Sequence, residues 1–233
     1  MISRVFIGHD STQKTVSEVC EYSIRRRTTR EIDIQFLKQS ELIDAGIYWR
    51  EPDPLASTEF TYLRFLVPYL CNFEGIALFC DNDFLWLDDI EKLFDEYDES
   101  YALQCVQHDY RPTETAKMDG KKQTVYPRKN WSSLMLFNCA HPANRALSLE
   151  TVNSETGSFL HQMQWLEDEQ IGKLPVRWNW LEGWYSSQPD YPLGAVHYTR
   201  GGPWYDEWKD CDFAQIWLDE RASWIEERDA AGE

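Results

Sequence analysis

The run Ile76-Ala77-Leu78-Phe79-Cys80 is uncharged and mostly apolar, and it stops abruptly at Asp81-Asn82-Asp83. Too short for a helix and without polar alternation, it reads as a strand buried on both faces. Strands of that kind form the interior of an open α/β sheet, and such sheets bind ligands beyond the carboxyl ends of their strands. Asp81 and Asp83 stand at that end. Residues i and i+2 of an extended segment project to the same side, so the two carboxylates can reach a single hard cation.

The amino-terminal part supplies a second strand of the same form, Arg4-Val5-Phe6-Ile7-Gly8, ending in His9-Asp10. Residues 15–27 follow with Val16, Val19, Cys20, Tyr22 and Ile24 near helical spacing, and residues 31–37 alternate as a strand. This βαβ opening predicts a parallel sheet with right-handed crossovers, in which Asp10, Asp81 and Asp83 face one crevice. No glycine-rich phosphate loop follows the first strand, so a dinucleotide-binding fold is not indicated and phosphates must be held some other way.

Further along, Ser57 or Thr58 is placed to cap a helix through Phe60, Tyr62, Leu63, Phe65, Leu66 and Val67, with Arg64 in its apolar neighbourhood. Asp88-Asp89 can cap a helix from Ile90 to Phe94. Strands are expected over residues 101–106 and 134–138, and a helix over 143–152. Residues 111–130 are polar and basic around Asp119-Gly120, the pattern of a hairpin or flap. Near the end, Phe213, Ile216, Trp217, Trp224 and Ile225 form one helical stripe suited to packing.

Composition narrows the partners. A formal charge of -17 disfavours nucleic acid and anionic membrane surfaces, which are held by Lys and Arg. The six cysteines include no CxxC pair and read as reduced, buried thiols of a cytoplasmic protein. Arg4 interrupts any signal-peptide pattern, and no run reaches transmembrane length. The sequon Asn130-Trp131-Ser132 carries little weight in that setting.

Several separated motifs, in order, resemble the retaining nucleotide-sugar glycosyltransferases of the family 8 type, which include glycogenin and bacterial galactosyltransferases. The strand ending in Asp10 is similar to the family's nucleobase-binding edge. Tyr62-Leu63-Arg64 resembles its Tyr-x-Arg helix, and Asp81-Asn82-Asp83 its metal-binding DxD. Asn130 to Asn138 resembles its Asn-x-Gly strand, Glu169-Gln170 its Asp-Gln pair, and His197 with Gly201-Gly202-Pro203-Trp204 its His-x-x-Gly-x-x-Lys-Pro-Trp motif. The resemblance spans roughly residues 4 to 205, where five further matches beside the DxD agree in order.

It implies a GT-A-type α/β fold with a mostly parallel central sheet flanked by helices and a small antiparallel elaboration. A single domain over 1–233 would divide into a nucleotide-binding half (4–110), a sugar and acceptor half (111–205) and a C-terminal helix (206–233). The implied nucleotide-sugar site comprises Gly8, His9, Asp10, Tyr62, Arg64, Asp81, Asn82, Asp83, Asn130, Ser132, Ser133, His197 and Gly202. Asp81, Asp83 and His197 would hold the metal, with Asp168, Glu169 and Gln170 beside the reacting sugar. Ser133 stands where the family has Gly, Glu169 where it has Asp, and Gly202 or Gly201 where it has a phosphate-contacting Lys. Arg200 is near enough in sequence to supply that charge.

The chemistry agrees. A sugar nucleotide leaves behind a diphosphate whose growing negative charge a divalent ion can stabilise as a Lewis acid. Two carboxylates and an imidazole suit Mn2+, with Mg2+ a feasible substitute. The expected enzyme transfers a hexose, with UDP-hexose as donor and a glycan, lipid or small molecule as acceptor. Simpler readings stand beside these roles: Asp10 as a helix cap, Arg64 as an ion-pair partner, His197 as a core histidine, and Glu167-Asp168-Glu169 as a charged face. The rivals are a haloacid-dehalogenase-like phosphatase using Asp81 as nucleophile, and a non-catalytic nucleotide-sugar binder.

Overall fold

The structure, a computed structural model, describes residues 2–109, 128 and 130–232. The flap expected over residues 111–130 lies almost wholly outside the described residues. The expected βαβ unit is present: β1 (Ser3–Gly8), α1 (Lys14–Arg25) and β2 (Ile32–Leu37), with β1 and β2 parallel. β1 also pairs in parallel with β3 (Ile76–Cys80), which brings the ends of both acidic strands to one edge of the sheet.

β5 (Leu103–Cys105), β6 (Leu134–Asn138) and β7 (Ile171–Lys173) complete a six-stranded sheet of order β2-β1-β3-β6-β5-β7. Only β6 runs against the others, antiparallel to both β3 and β5. The sheet is therefore mostly parallel, as expected. A smaller sheet joins β4 (Phe84–Trp86), β8 (Trp180–Leu181) and β9 (Ala195–His197) in the order β4-β9-β8. It is mixed rather than antiparallel, because β8 runs parallel to β9 while β4 opposes it.

Alternation along the central strands distributes the core to two faces. Phe6, Ala77, Phe79, Met135 and Phe137 pack on one side with Phe60, Leu63, Phe65 and Leu66. Val5, Ile7, Leu78, Cys80, Leu134 and Leu136 pack on the other with Cys20 and Ile24 of α1 and with Trp86 and Trp178. Each such buried Phe or Leu contributes about 1.5–3 kcal/mol. All six cysteines are free, and five are buried in these layers.

Two expected helices are broken. Beyond α2 (Gln39–Asp44), the segment after Thr58 is a series of turns leading to a 3-10 turn at Leu63–Leu66 and a short α3 (Val67–Leu70). Pro68 has no N–H to give to a carbonyl one turn back, so the apolar run cannot continue as one α-helix. Residues 143–152 likewise divide into a 3-10 turn at Pro142–Ala146 and a separate helix, Leu149–Ser154, for which Ser148 caps the Thr151 N–H. The helix expected from Ile90 begins at Glu91, with Ile90 at the N-cap position, and Asp89 just before it accepts the Glu91 N–H at 3.0 Å.

The C-terminal helix Ala214–Ala231 buries Trp217 but leaves Ile216 exposed, so the expected stripe is only partly inward. Ion pairing ties it to the segment just after α1: Arg27 grips the buried Glu220 with both terminal guanidinium nitrogens, at 2.6 and 2.8 Å. Among the described residues, no helix is long and apolar enough to cross a membrane.

Candidate active site

Backbone pairing on both sides fixes the acidic turn after β3. The Asp81 N–H donates to the Ser133 carbonyl at 2.9 Å, extending the β3–β6 ladder, and the Asp83 carbonyl accepts the Tyr198 N–H at 3.0 Å. Between them Asn82 points the opposite way and is buried, its Nδ2 donating to Ser17 Oγ at 3.2 Å and Gln13 Oε1 at 3.3 Å on the α1 side. That anchor leaves Asp81 and Asp83 projecting together.

β9 delivers the third member. His197 pairs with Phe84 across the small sheet, and its ring stacks on the Phe84 ring at 4.5 Å and 18°. One ligand atom each from Asp81, Asp83 and His197 lies within 4.8 Å of the others. His197 Nε2 stands 3.3 Å from Asp83 Oδ1, a buried oxygen with no hydrogen-bond partner among the described residues. Two carboxylate oxygens and an imidazole nitrogen converging on one point fit a divalent cation.

Arg64 lies against this group, 6 % exposed, with Nη1 at 2.7 Å from Asp81 Oδ1 and 2.8 Å from the Ser132 carbonyl. Its Nε donates to the Thr61 carbonyl, and the guanidinium lies over Phe79. The ion-pair reading of Arg64 is thus correct in geometry, and it neutralises one of the two acidic charges.

The remaining candidates are distributed unevenly. Gly8 sits against the Phe60 ring, where a Cβ would lie 2.4 Å away, and His9 meets Phe36 edge-on. Asp10 is buried as a cap, accepting from Thr12 N–H and Oγ1 with one oxygen and from the Glu59 N–H with the other. Tyr62 donates to Asp53 under the Arg50 guanidinium, and burial followed by that bond pushes its hydroxyl up to about 12. Asn130 adopts a left-handed conformation just before a 3-10 turn that carries Ser132 and Ser133.

Arg200 faces Glu182, which is 1 % exposed, at 3.0 Å, and it stacks over Trp208. Gly202 lies beneath Trp204, where a Cβ would meet the indole at 2.2 Å.

Asp168, Glu169 and Gln170 are not brought to the cluster by any described contact. They form a 3-10 turn, with Gln170 Oε1 returning to the Glu167 N–H and Asp168 exposed and paired with Arg128. Because β7 runs parallel to β5 with Ile171 beside Leu103, this turn lies near the start of β5. Asp81 and Asp83 instead follow the end of β3.

Sequence reasoning passed over Asn179, which is fully buried and whose Oδ1 lies 2.9 Å from His197 Nδ1, placed to accept a hydrogen bond from it. His108 is also buried, and its ring bonds the Tyr185 hydroxyl at 2.8 Å through Nδ1. Its Nε2 has no partner among the described residues. Burial, and then the neighbouring His197, push its pKa down to about 3. The only signal for Asn179 was its place in the run Trp178-Asn179-Trp180, a polar group flanked by bulky apolar ones.

The sheet order, the small second sheet and the acidic turn define a GT-A-type glycosyltransferase fold. The bifunctional glycosyltransferase WbbM superposes with a TM-score of 0.65 at 15% identity over 95% of this chain. GlyE of Streptococcus pneumoniae TIGR4 superposes with 0.62 at 15% identity over 100%. The chain spans 50% of the first and 64% of the second. The galactosyltransferase LgtC, in complex with donor and acceptor sugar analogs, superposes with 0.59 at 15% identity over 94% of this chain and 95% of its own. No family model matches the sequence. The chain belongs to the family of Protein CDI of Arabidopsis thaliana, with 52% identity over 227 residues, 96% of this chain and 88% of that protein.

Proposed function

We propose that the protein is a metal-dependent glycosyltransferase that moves a hexose from a nucleotide sugar, a UDP-hexose, to an acceptor hydroxyl with retention of configuration. The observation that carries this reading is the convergence of Asp81, Asp83 and His197 beyond the carboxyl end of β3 in a GT-A-type sheet. LgtC, solved with donor and acceptor sugar analogs, has the same fold.

In this reading Asp81, Asp83 and His197 would hold a divalent cation, Mn2+ or Mg2+, which would supply Lewis-acid stabilisation to the departing diphosphate. Arg64 aims Asp81 through their ion pair, and Asn82 anchors the turn between the two carboxylates. The bond from the sugar anomeric carbon to the diphosphate oxygen breaks, and the acceptor oxygen attacks from the face that the diphosphate leaves, losing its proton to that leaving group. Gly8 admits the Phe60 ring at the neighbouring strand end, where a larger residue would clash. Phosphate-facing charge from Arg200 would require its pair with Glu182 to open. Asp168, Glu169 and Gln170 take no part in this account, since none of their described contacts leads to the cluster.

A panel of nucleotide sugars, scored by nucleoside diphosphate release with Mn2+ and with chelator, tests the proposal. Metal-dependent release from a UDP-hexose supports it. Release of inorganic phosphate from a phosphomonoester would favour the phosphatase, and binding without turnover would favour the non-catalytic binder.

A further inference from the structure

The side chains behind His197 form a directed chain. Ser133 Oγ lies 2.6 Å from the Asn130 carbonyl, Asn179 Nδ2 lies 2.9 Å from Ser133 Oγ, and Asn179 Oδ1 lies 2.9 Å from His197 Nδ1. A backbone carbonyl can only accept, so the Ser133 hydroxyl must give its proton to Asn130 and offers lone pairs to Asn179. Asn179 therefore turns its NH2 toward Ser133 and its oxygen toward His197. An oxygen there requires a proton on His197 Nδ1.

Asp83 Oδ1, 3.3 Å from Nε2 on the other side of the ring, exerts the opposite pull, because a carboxylate favours a proton on the nitrogen facing it. We infer that Asn179, oriented by Ser133, is a positioning residue that holds the His197 proton on Nδ1 and keeps the Nε2 lone pair free toward Asp83. The inference rests on the proposed metal site for its purpose, since only an unprotonated Nε2 can be a ligand. All of the relay side chains are buried: Ser133 is 3 % exposed, Asn179 0 % and His197 2 %, so water does not compete for these bonds. Ser133 stands where the resembling glycosyltransferases have Gly, which would offer Asn179 no hydroxyl. The relay thus belongs to the chain's own departure from their pattern.

The test uses the metal-free full-length protein with 15N-labelled histidine, recorded at about pH 8, where an unperturbed imidazole is neutral. Wild type is expected to give a pyrrole-like Nδ1 and a pyridine-like Nε2 for His197. Asn179→Leu, close in volume but without an acceptor, moves the proton to Nε2. Ser133→Ala frees the amide to turn and gives both tautomers. Adding Asn179→Asp to Ser133→Ala restores the wild-type pattern, because a carboxylate accepts whichever way it faces.

Mn2+ affinity, followed by the free-ion paramagnetic resonance signal, should fall about 10–100-fold in Asn179→Leu and recover in the Asp-containing double variant. A wild-type His197 protonated on Nε2, or a pattern unmoved by Asn179→Leu, overturns the inference. If Asn179→Leu does not fold, an unmoved pattern in Ser133→Ala overturns it instead. Should wild type bind no Mn2+ while the tautomers behave as expected, the metal reading fails and the positioning role stands.

Discussion

Arg64 and Asp81 form a nearly enclosed ion pair, Nη1 to Oδ1 at 2.7 Å, in which the arginine also bonds the Thr61 and Ser132 carbonyls. The arginine comes from the 3-10 turn before α3 and the carboxylate from the end of β3, so the pair ties the helical layer to the rim of the sheet. Asp83, in the same cluster, has a buried Oδ1 with no hydrogen-bond partner among the described residues.

Removing one member of a buried pair strands the other. Arg64→Met should lower stability by about 3–5 kcal/mol in denaturant unfolding, because Asp81 loses its counter-charge. Saturating Mn2+ should recover part of that loss, since a cation at Asp81 replaces the missing positive charge. An equal loss with and without Mn2+ would separate Arg64 from the cation site.

Acid sensitivity should pass through His108. Its pKa is pushed from 6.5 down to about 3 in the folded chain by burial, so the unfolded chain binds the extra proton first as pH falls. Stability from this group is complete above pH 6.5 and declines by at most about 1.4 kcal/mol per pH unit until about pH 3. His108→Gln should flatten that part of the stability profile, measured by urea unfolding at a series of pH values. A profile identical to wild type would show that the loss arises elsewhere.

Glu182 is buried beside Arg200, and its pKa is raised by burial against the opposing pull of that arginine. Arg200→Ala should destabilise by about 3–5 kcal/mol, and Glu182→Gln in the same chain should recover most of it. Additive losses in that cycle would mean that Arg200 works through some other contact.

Gly202→Lys would restore the residue that the resembling motif carries, but any Cβ there meets the Trp204 ring at 2.2 Å. The substitution should destabilise by about 1–3 kcal/mol rather than raise activity. A fully stable variant with faster donor turnover would contradict this placement of Trp204.

These cases also explain what was legible beforehand. The β1–α1–β2 unit and the strand carrying Asp81 and Asp83 could be read because burial on both faces and helical spacing are local signals. His197 was found only through its Gly-Gly-Pro-Trp sequel, since its partners come from β3 and β4 across the fold. The helix expected after Thr58 failed because an apolar run looks helical although Pro68 interrupts its hydrogen bonds. Asn179 and Ser133 were invisible as a pair: they lie 46 positions apart, and hydrogen bonding between distant polar side chains leaves no periodic trace.

The most direct measurement is calorimetric titration of UDP into wild type and Asp83→Asn, each with Mn2+ and with chelator. The proposed function predicts binding by wild type only with Mn2+, and a loss of at least about 10-fold in Asp83→Asn. UDP binding of equal strength under chelator, or unchanged by Asp83→Asn, would contradict it.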